Sequence, residues 1–270
     1  MTSLEAVVLG VVQGVTEFLP ISSTAHLRIV PALLGWGDPG AAFSAVIQLG
    51  TLVAVLVFFR ADLLAMVQGA AAAVVNPARR RDLHARLALY LVVGTIPVVV
   101  VGVLAKNAIR GGLRALPVIA AMLIVVALAL AVVERLAKHR RTIEELVLRD
   151  AVLIGCAQAL ALVPGVSRSG ITILAALAIG FRRDAAARFS FLLSIPAIAG
   201  AGVFEMKHLL HGGGSMVALA IGLLASAVTG YVAIAWLLRF LRTRTMTPFI
   251  VYRIALGLVI LALLAVGKIS

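Results

Sequence analysis

Long apolar runs are the feature that most constrains what this chain can fold into. A helix needs about 17 to 25 apolar residues to cross a hydrocarbon core of about 30 Å. Six runs meet that length, at roughly 42–59, 87–105, 115–133, 189–205, 216–238 and 249–266. They lack the short alternation of apolar and polar residues that is typical of a transmembrane barrel. With 63% apolar and 13% charged residues, residues 1–270 are predicted to form a single all-α polytopic integral membrane domain.

Two further pairs of apolar segments are too short to cross. They are 4–18 and 21–34 around Pro20, and 151–163 and 171–181 around Pro164-Gly165. A helix of 13 to 15 residues rises only about 20 Å. Each pair therefore predicts a re-entrant hairpin with its turn near the middle of the membrane. Such a turn is tolerated only where it is buried in protein or lines a wet cavity.

The two hairpins resemble each other in sequence. "AVVLGVVQ" (6–13) matches "AVLIGCAQ" (151–158), and downstream "FSAVIQLG" (43–50) parallels "FSFLLSIP" (189–196). The chain therefore reads as two repeats, approximately 1–133 and 151–266, each a hairpin followed by three spans. Because three is an odd number, the second repeat enters the membrane from the opposite side, which predicts an inverted-topology repeat.

The placement of basic residues supports opposite entry. Loops at 60–86, 134–150, 182–188 and 239–248 carry sixteen Lys and Arg residues, and the other side carries six: Arg28, Lys106, Arg110, Arg114, Lys207 and Lys268. The positive-inside rule places the first set in the cytoplasm and both termini outside. The net charge of +13 is then explained by topology and contact with anionic membrane lipid, and no nucleic acid partner is predicted.

Polar residues cluster at both hairpin turns. Gln13 and Glu17 share one face of the first half-helix because they are four residues apart. The remaining polar residues are Ser22, Ser23, Thr24 and His26 after the first turn, and Ser167, Arg168, Ser169 and Thr172 after the second. The helix that begins after each turn offers the free backbone N–H groups of its first turn to an anion. Arg168 adds a forked donor suited to phosphate oxygens. The cluster predicts a buried site for a phosphate group.

Other interpretations stay open for the individual residues. Each Ser or Thr taken singly is more often a helix cap. Glu17 and Arg168 could neutralise each other as a structural ion pair, and a lone His26 is more often a hydrogen-bonded interior residue. Broken helices in an inverted repeat are also the architecture of secondary transporters. A flippase for a polyprenyl phosphate is therefore the alternative function.

The same residues carry a family resemblance. "QGVTEFLPISSTAHL" (13–27) and "PGVSRSGIT" (164–172) resemble the two signature motifs of the bacterial undecaprenyl-diphosphate phosphatases, also called the bacitracin-resistance protein family. The order, separation and length also match, so the resemblance covers nearly the whole chain.

The resemblance implies hydrolysis of undecaprenyl diphosphate to undecaprenyl phosphate, the lipid carrier of peptidoglycan synthesis, in the bacterial cytoplasmic membrane. It implies an active site open to the outer leaflet and a divalent cation, Mg²⁺ or Ca²⁺. Glu17 would be the essential carboxylate, Ser23 and His26 the candidate nucleophile and its neighbour, and Arg168 the phosphate clamp. The remaining substrate-binding residues would be Gln13, Ser22, Thr24, Ser167, Ser169 and Thr172.

Three points stay open on the sequence. Gln13 stands where many members carry Glu, so the cation would be held by Glu17, with Gln13 a weaker ligand, and by the diphosphate itself. Either Glu17 or His26 could take the proton of Ser23, and direct attack by metal-bound water fits the same residues. A homodimer is left open.

Overall fold

The computed structural model describes residues 2–105, 115–211 and 215–269. Within these ranges the fold is all-helical, with eleven α-helices and two short 3₁₀ segments, Pro77–Arg81 and Ile143–Glu145. In chain order the helices are α1 Ser3–Phe18, α2 Ser23–Leu34, α3 Gly40–Phe58, α4 Arg60–Val75, α5 Leu83–Leu104, α6 Leu116–Leu136, α7 Leu148–Leu160, α8 Arg168–Ala178, α9 Arg183–His211, α10 Met216–Leu241 and α11 Thr247–Ala265.

Five of the described helices are long and apolar enough to cross a membrane, and the bent pair α3 and α4 makes six if it counts as one span. The five are α5, α6, α9, α10 and α11. Large apolar side chains cover the outside of these helices, among them Val92, Val125 and Leu224, each more than half exposed. The prediction of an all-α polytopic membrane protein is confirmed.

Two predicted loops contain helix, and those predictions are wrong. Residues 60–86 hold α4, which leaves α3 at a 75° bend, and 182–188 hold the first turns of α9. Both stretches are rich in alanine, the strongest helix former. Their polar ends also pair, because Arg188 donates to Asp62 at 2.5 Å. Lys106, Arg110 and Arg114 lie outside the described residues, as does the side chain of Lys207, so the charge count on that side is untested there.

Both predicted hairpins are present as pairs of short helices. The first is α1 and α2, separated by residues 19–22, and the second is α7 and α8, separated by residues 161–167. Both helices of the second hairpin begin and end three residues earlier in the chain than the predicted segments 151–163 and 171–181. None of the four helices reaches about 30 Å at 1.5 Å per residue, as a re-entrant hairpin requires.

Each hairpin is held by a close crossing with a long helix. A Cβ on Gly10 of α1 would lie 2.4 Å from the carbonyl oxygen of Gly222 in α10, and a Cβ on Gly155 of α7 would lie 2.2 Å from that of Gly94 in α5. Only glycine permits backbones to approach this closely. Gly10 and Gly155 occupy matching positions in "AVVLGVVQ" and "AVLIGCAQ". This correspondence supports the two-repeat organisation, and the inverted topology itself stays a prediction.

Candidate functional site

The two hairpin turns contact each other. The Ser169 hydroxyl donates to the Leu19 carbonyl at 3.0 Å, and the Gly165 N–H lies 3.5 Å from the Thr24 hydroxyl oxygen. The N-terminus of α2 and the N-terminus of α8 therefore lie side by side. Their dipoles add a positive potential at the junction, as expected for an anion site.

The backbone is strained at the residue before each of these helices. Ser22 has φ 73° and Ser167 has φ 72°, values that residues with a side chain rarely adopt and that cost about 1–3 kcal/mol each. The two residues are 145 positions apart, the same offset that relates Gln13 to Gln158. The turns therefore align without a gap and pair Ser23 with Arg168.

Glu17 is the centre of the polar cluster. Its Oε1 accepts from Arg168 Nη2 at 2.7 Å, and its Oε2 accepts from Gln13 Nε2 at 2.7 Å and from the Ser23 hydroxyl at 2.6 Å. The Glu17 side chain is only 4% exposed, and a buried carboxylate needs partners of this kind. The structure thus brings Gln13, Glu17, Ser23 and Arg168 together.

Some donors and acceptors in this cluster have no partner in the protein. Arg168 Nη1 and Gln13 Oε1 are buried and make no hydrogen bond. Burial of an unpaired N–H donor costs about 1–3 kcal/mol or more. A purely structural ion pair between Glu17 and Arg168 does not account for this cost at Arg168 Nη1. An anion bound at the junction would satisfy Arg168 Nη1.

The remaining predicted hydroxyls differ in what they do. Ser167 is a helix cap that accepts from the Gly170 N–H at 3.1 Å, whereas Ser22 makes no capping bond and lies 3.1 Å from the Thr24 hydroxyl. Thr172 is fully buried and bonds to the Arg168 carbonyl at 2.8 Å and to Ser190 at 2.6 Å. These bonds hold the first turn of α8, which carries Arg168.

His26 faces a different partner from Ser23. Its Nδ1 lies 2.7 Å from the Ser22 carbonyl and its Nε2 lies 2.6 Å from the Tyr252 hydroxyl. Both ring nitrogens are therefore engaged away from the Ser23 hydroxyl, which donates to Glu17.

Arg253 of α11 holds both turns and was missed by sequence reasoning. It is 0% exposed and donates to five backbone carbonyls, those of Pro20, Met122, Leu123, Gly165 and Val166, at 3.0–3.3 Å. Pro20 lies two residues before the strained Ser22, and Val166 lies directly before the strained Ser167, so these bonds hold the backbone at both helix starts. A charged residue inside an apolar span is costly and indicates a functional site or a buried partner. The position of Arg253 within the run 249–266 therefore could have predicted its importance. Nothing in the sequence pointed to Tyr252.

A cation site of protein ligands alone is not evident in the described ranges. They contain no group of three or more His, Cys, Asp or Glu side chains close enough to hold a metal ion. Gln13 Oε1 is the uncommitted oxygen of the Glu17 cluster, and a carboxylate has lone pairs beyond the three bonds that Glu17 accepts. These two residues fit a cation that takes most of its ligands from a phosphate-bearing substrate.

The fold and the site together define a multi-spanning membrane protein with a buried polar cluster at the junction of two helix N-termini. Similarity to known proteins identifies the family within this class. The family described as "Bacitracin resistance protein BacA" matches residues 6–259, and the chain belongs to this family.

Full-length relatives share one name. The chain is 56% identical to "Undecaprenyl-diphosphatase" of Myxococcus xanthus over 100% of this chain and 92% of the relative. It is 50% identical to the protein of that name from a Nocardioides species, over 99% and 98% of the two chains. It is also 53% identical to the protein of that name from Synechococcus elongatus, over 98% and 94%.

Proposed function

We propose that this protein is an undecaprenyl-diphosphatase, which hydrolyses undecaprenyl diphosphate to undecaprenyl phosphate and inorganic phosphate. Relatives of that name are 50–56% identical to it over nearly the full chain. The observation that carries the proposal is the Glu17 cluster, in which a carboxylate, a serine hydroxyl and an arginine with a free nitrogen meet between two helix N-termini. Phosphoryl transfer requires this combination of positioning and positive charge.

Ser23 is the proposed nucleophile. Its hydroxyl donates to Glu17 Oε2 at 2.6 Å, so the carboxylate is positioned to take the proton as the oxygen attacks the terminal phosphorus. The bond from that phosphorus to the bridging oxygen breaks, and undecaprenyl phosphate leaves. Water then cleaves the phosphoserine and releases phosphate. Glu17 fits the role of base better than His26, whose ring nitrogens bond to the Ser22 carbonyl and to Tyr252.

Arg168 and the helix N-termini are the proposed phosphate-binding groups. Arg168 Nη2 is held by Glu17, whereas Nη1 is buried without a hydrogen-bond partner in the protein and is the proposed donor to the phosphate. Hydrogen bonds between charged partners are about twice as strong as neutral ones. Ser22, Thr24, Ser167 and Ser169 line the same junction and are proposed to complete the cradle, whereas Thr172 would act by supporting Arg168.

A divalent cation, Mg²⁺ or Ca²⁺, is part of the proposal. Glu17 and Gln13 Oε1 would hold it together with substrate oxygens, and it would neutralise charge on the diphosphate. Because Gln13 supplies a neutral oxygen, the protein contributes one negative charge to this site where a glutamate pair would contribute two.

The membrane placement of the site is also proposed. The protein is a multi-pass membrane protein, and the positive-inside rule places the end of α2 and both termini outside. The site would then open to the outer leaflet, where the prenyl tail can stay in lipid while the head group enters. A homodimer stays a prediction, which cross-linking in native membranes would test.

The deciding experiment measures phosphate release from undecaprenyl diphosphate by purified protein in detergent. Wild-type protein should release phosphate, and Glu17→Ala should not, since it removes the base and the partner of Arg168. Glu205→Ala, which changes a carboxylate near the end of α9 and far from Glu17 in sequence, is the control and should retain the wild-type rate. A wild-type protein without phosphatase activity that moves labelled polyprenyl phosphate across vesicle membranes would support the flippase and overturn the proposal.

A further inference from the structure

Tyr252 contacts His26 through both its ring and its hydroxyl. The two rings are nearly parallel, at 5° between planes with centroids 5.6 Å apart, and the hydroxyl oxygen lies 2.6 Å from His26 Nε2. Tyr252 is 43% exposed, so it is not a core residue placed there by apolar packing. Tyr252 lies in α11, directly before Arg253, whose side chain holds both turns.

The protonation of His26 follows from its two partners. A carbonyl oxygen can only accept, so the bond between Nδ1 and the Ser22 carbonyl at 2.7 Å places a proton on Nδ1. In the neutral ring, Nε2 then carries a lone pair and accepts from the Tyr252 hydroxyl. The Ser22 carbonyl sets the tautomer, and Tyr252 holds the lone pair in one direction.

The charges around His26 favour this neutral ring. Arg253 of α11 is fully buried close to the turn that carries Ser22, and Arg168 of α8 is paired with Glu17 of α1. A second positive charge close to the buried guanidinium of Arg253 is disfavoured. His26 is thus built as a hydrogen-bond acceptor whose acceptor atom is occupied by a tyrosine.

We propose that Tyr252 is a positioning residue of the phosphatase reaction, which acts by holding the His26 ring so that its Nδ1–H stays on the Ser22 carbonyl, directly before Ser23. This inference rests on the proposed function. Two neighbouring residues of α11 then have different positioning roles. Arg253 fixes the two turns, and Tyr252 fixes the imidazole at the edge of the site. Ser22 is the strained residue directly before Ser23, so a fixed His26 ring holds the backbone at the proposed nucleophile.

The test is Tyr252→Phe, which keeps the ring stacked on His26 and removes the hydroxyl. We expect kcat for phosphate release to fall about tenfold, as for the loss of one hydrogen bond of about 1.4 kcal/mol. KM should stay within about twofold, because the phosphate-binding groups are unchanged. Tyr231→Phe is the matched control, because Tyr231 is similarly exposed and its ring packs against Phe58. This substitution should leave kcat unchanged.

A spectroscopic readout separates positioning from a general structural role. In protein labelled with ¹⁵N-histidine, the His26 resonances are assigned by their loss in His26→Gln. The Nε2 resonance should move toward the value of a free acceptor nitrogen in Tyr252→Phe and stay in place in Tyr231→Phe. An unmoved Nε2 resonance, or a moved resonance with wild-type kcat, overturns the inference. Wild-type protein that releases no phosphate counts against the proposed function instead, and it does so in the same assay.

Discussion

Replacing Arg253 by lysine keeps the positive charge but removes the fork that joins the two hairpin turns. The guanidinium donates five hydrogen bonds to carbonyls on both turns and on α6, whereas an ammonium has three N–H donors at one point. At least two carbonyls lose their donor, at about 1–3 kcal/mol for each buried group. We therefore expect the variant to lose about 2–6 kcal/mol of stability at this junction.

The substitution should slow catalysis as well as lower stability. Pro20 lies two residues before Ser22 and Val166 lies directly before Ser167. Release of their carbonyls should let the strained turns relax and shift the starts of α2 and α8. A displacement of about 1 Å at reacting groups costs about 100-fold in rate. The expected outcome is a fall in kcat of that order for phosphate release in detergent, with a thermal midpoint lowered by several degrees.

A matched control makes the Arg253 prediction refutable. Arg239→Lys changes an exposed arginine in the last turn of α10, and both its rate and its thermal midpoint should equal those of the wild type. An Arg253→Lys variant with wild-type kcat would refute the argument that this residue sets the geometry of the site. A lowered thermal midpoint with unchanged kcat would assign Arg253 to stability alone.

Three further substitutions test the roles within the site. Ser23→Ala should abolish turnover while the thermal midpoint is retained; substantial phosphate release would favour direct attack by water. Arg168→Lys keeps the charge but cannot serve Glu17 and the phosphate together, and loss of one charge-assisted bond of about 1.5–3 kcal/mol predicts a 10- to 100-fold fall in kcat/KM. Gln13→Glu adds an anionic ligand, so the Mg²⁺ or Ca²⁺ concentration for half-maximal rate after chelation should fall about tenfold. An unchanged cation dependence would exclude position 13 from the cation site.

The membrane architecture could be predicted because apolar length and proline breaks are local signals. The runs that became α5, α6, α10 and α11 have the length of a bilayer, and Pro20 marks the first hairpin turn. The loops at 60–86 and 182–188 were mispredicted because a span was expected to end where charge begins. Helix propensity continues through charged residues when they find partners, as Asp62 and Arg188 do.

The composition of the site was more predictable than its geometry. Glu17 and Arg168 are charges at the breaks of apolar segments, and such residues are costly unless they face a partner or a cavity. Which atom each group bonds to depends on the packing of distant helices. The contact of His26 with Tyr252 spans 226 residues, and no spacing rule relates the two positions. Arg253 carried the same signal as Arg168 but lies far from either motif.

The close glycine crossings also bear on how the protein is made. Helix α1 is synthesised before α10, and its backbone partner near Gly222 follows about 200 residues later. Until Arg168 has been made, the buried glutamate of α1 also lacks its charged partner. Contacts of such long range slow folding and leave intermediates exposed. The first hairpin therefore cannot reach its final packing before α10 is made, and the site is complete only when Arg253 of α11 joins the two turns.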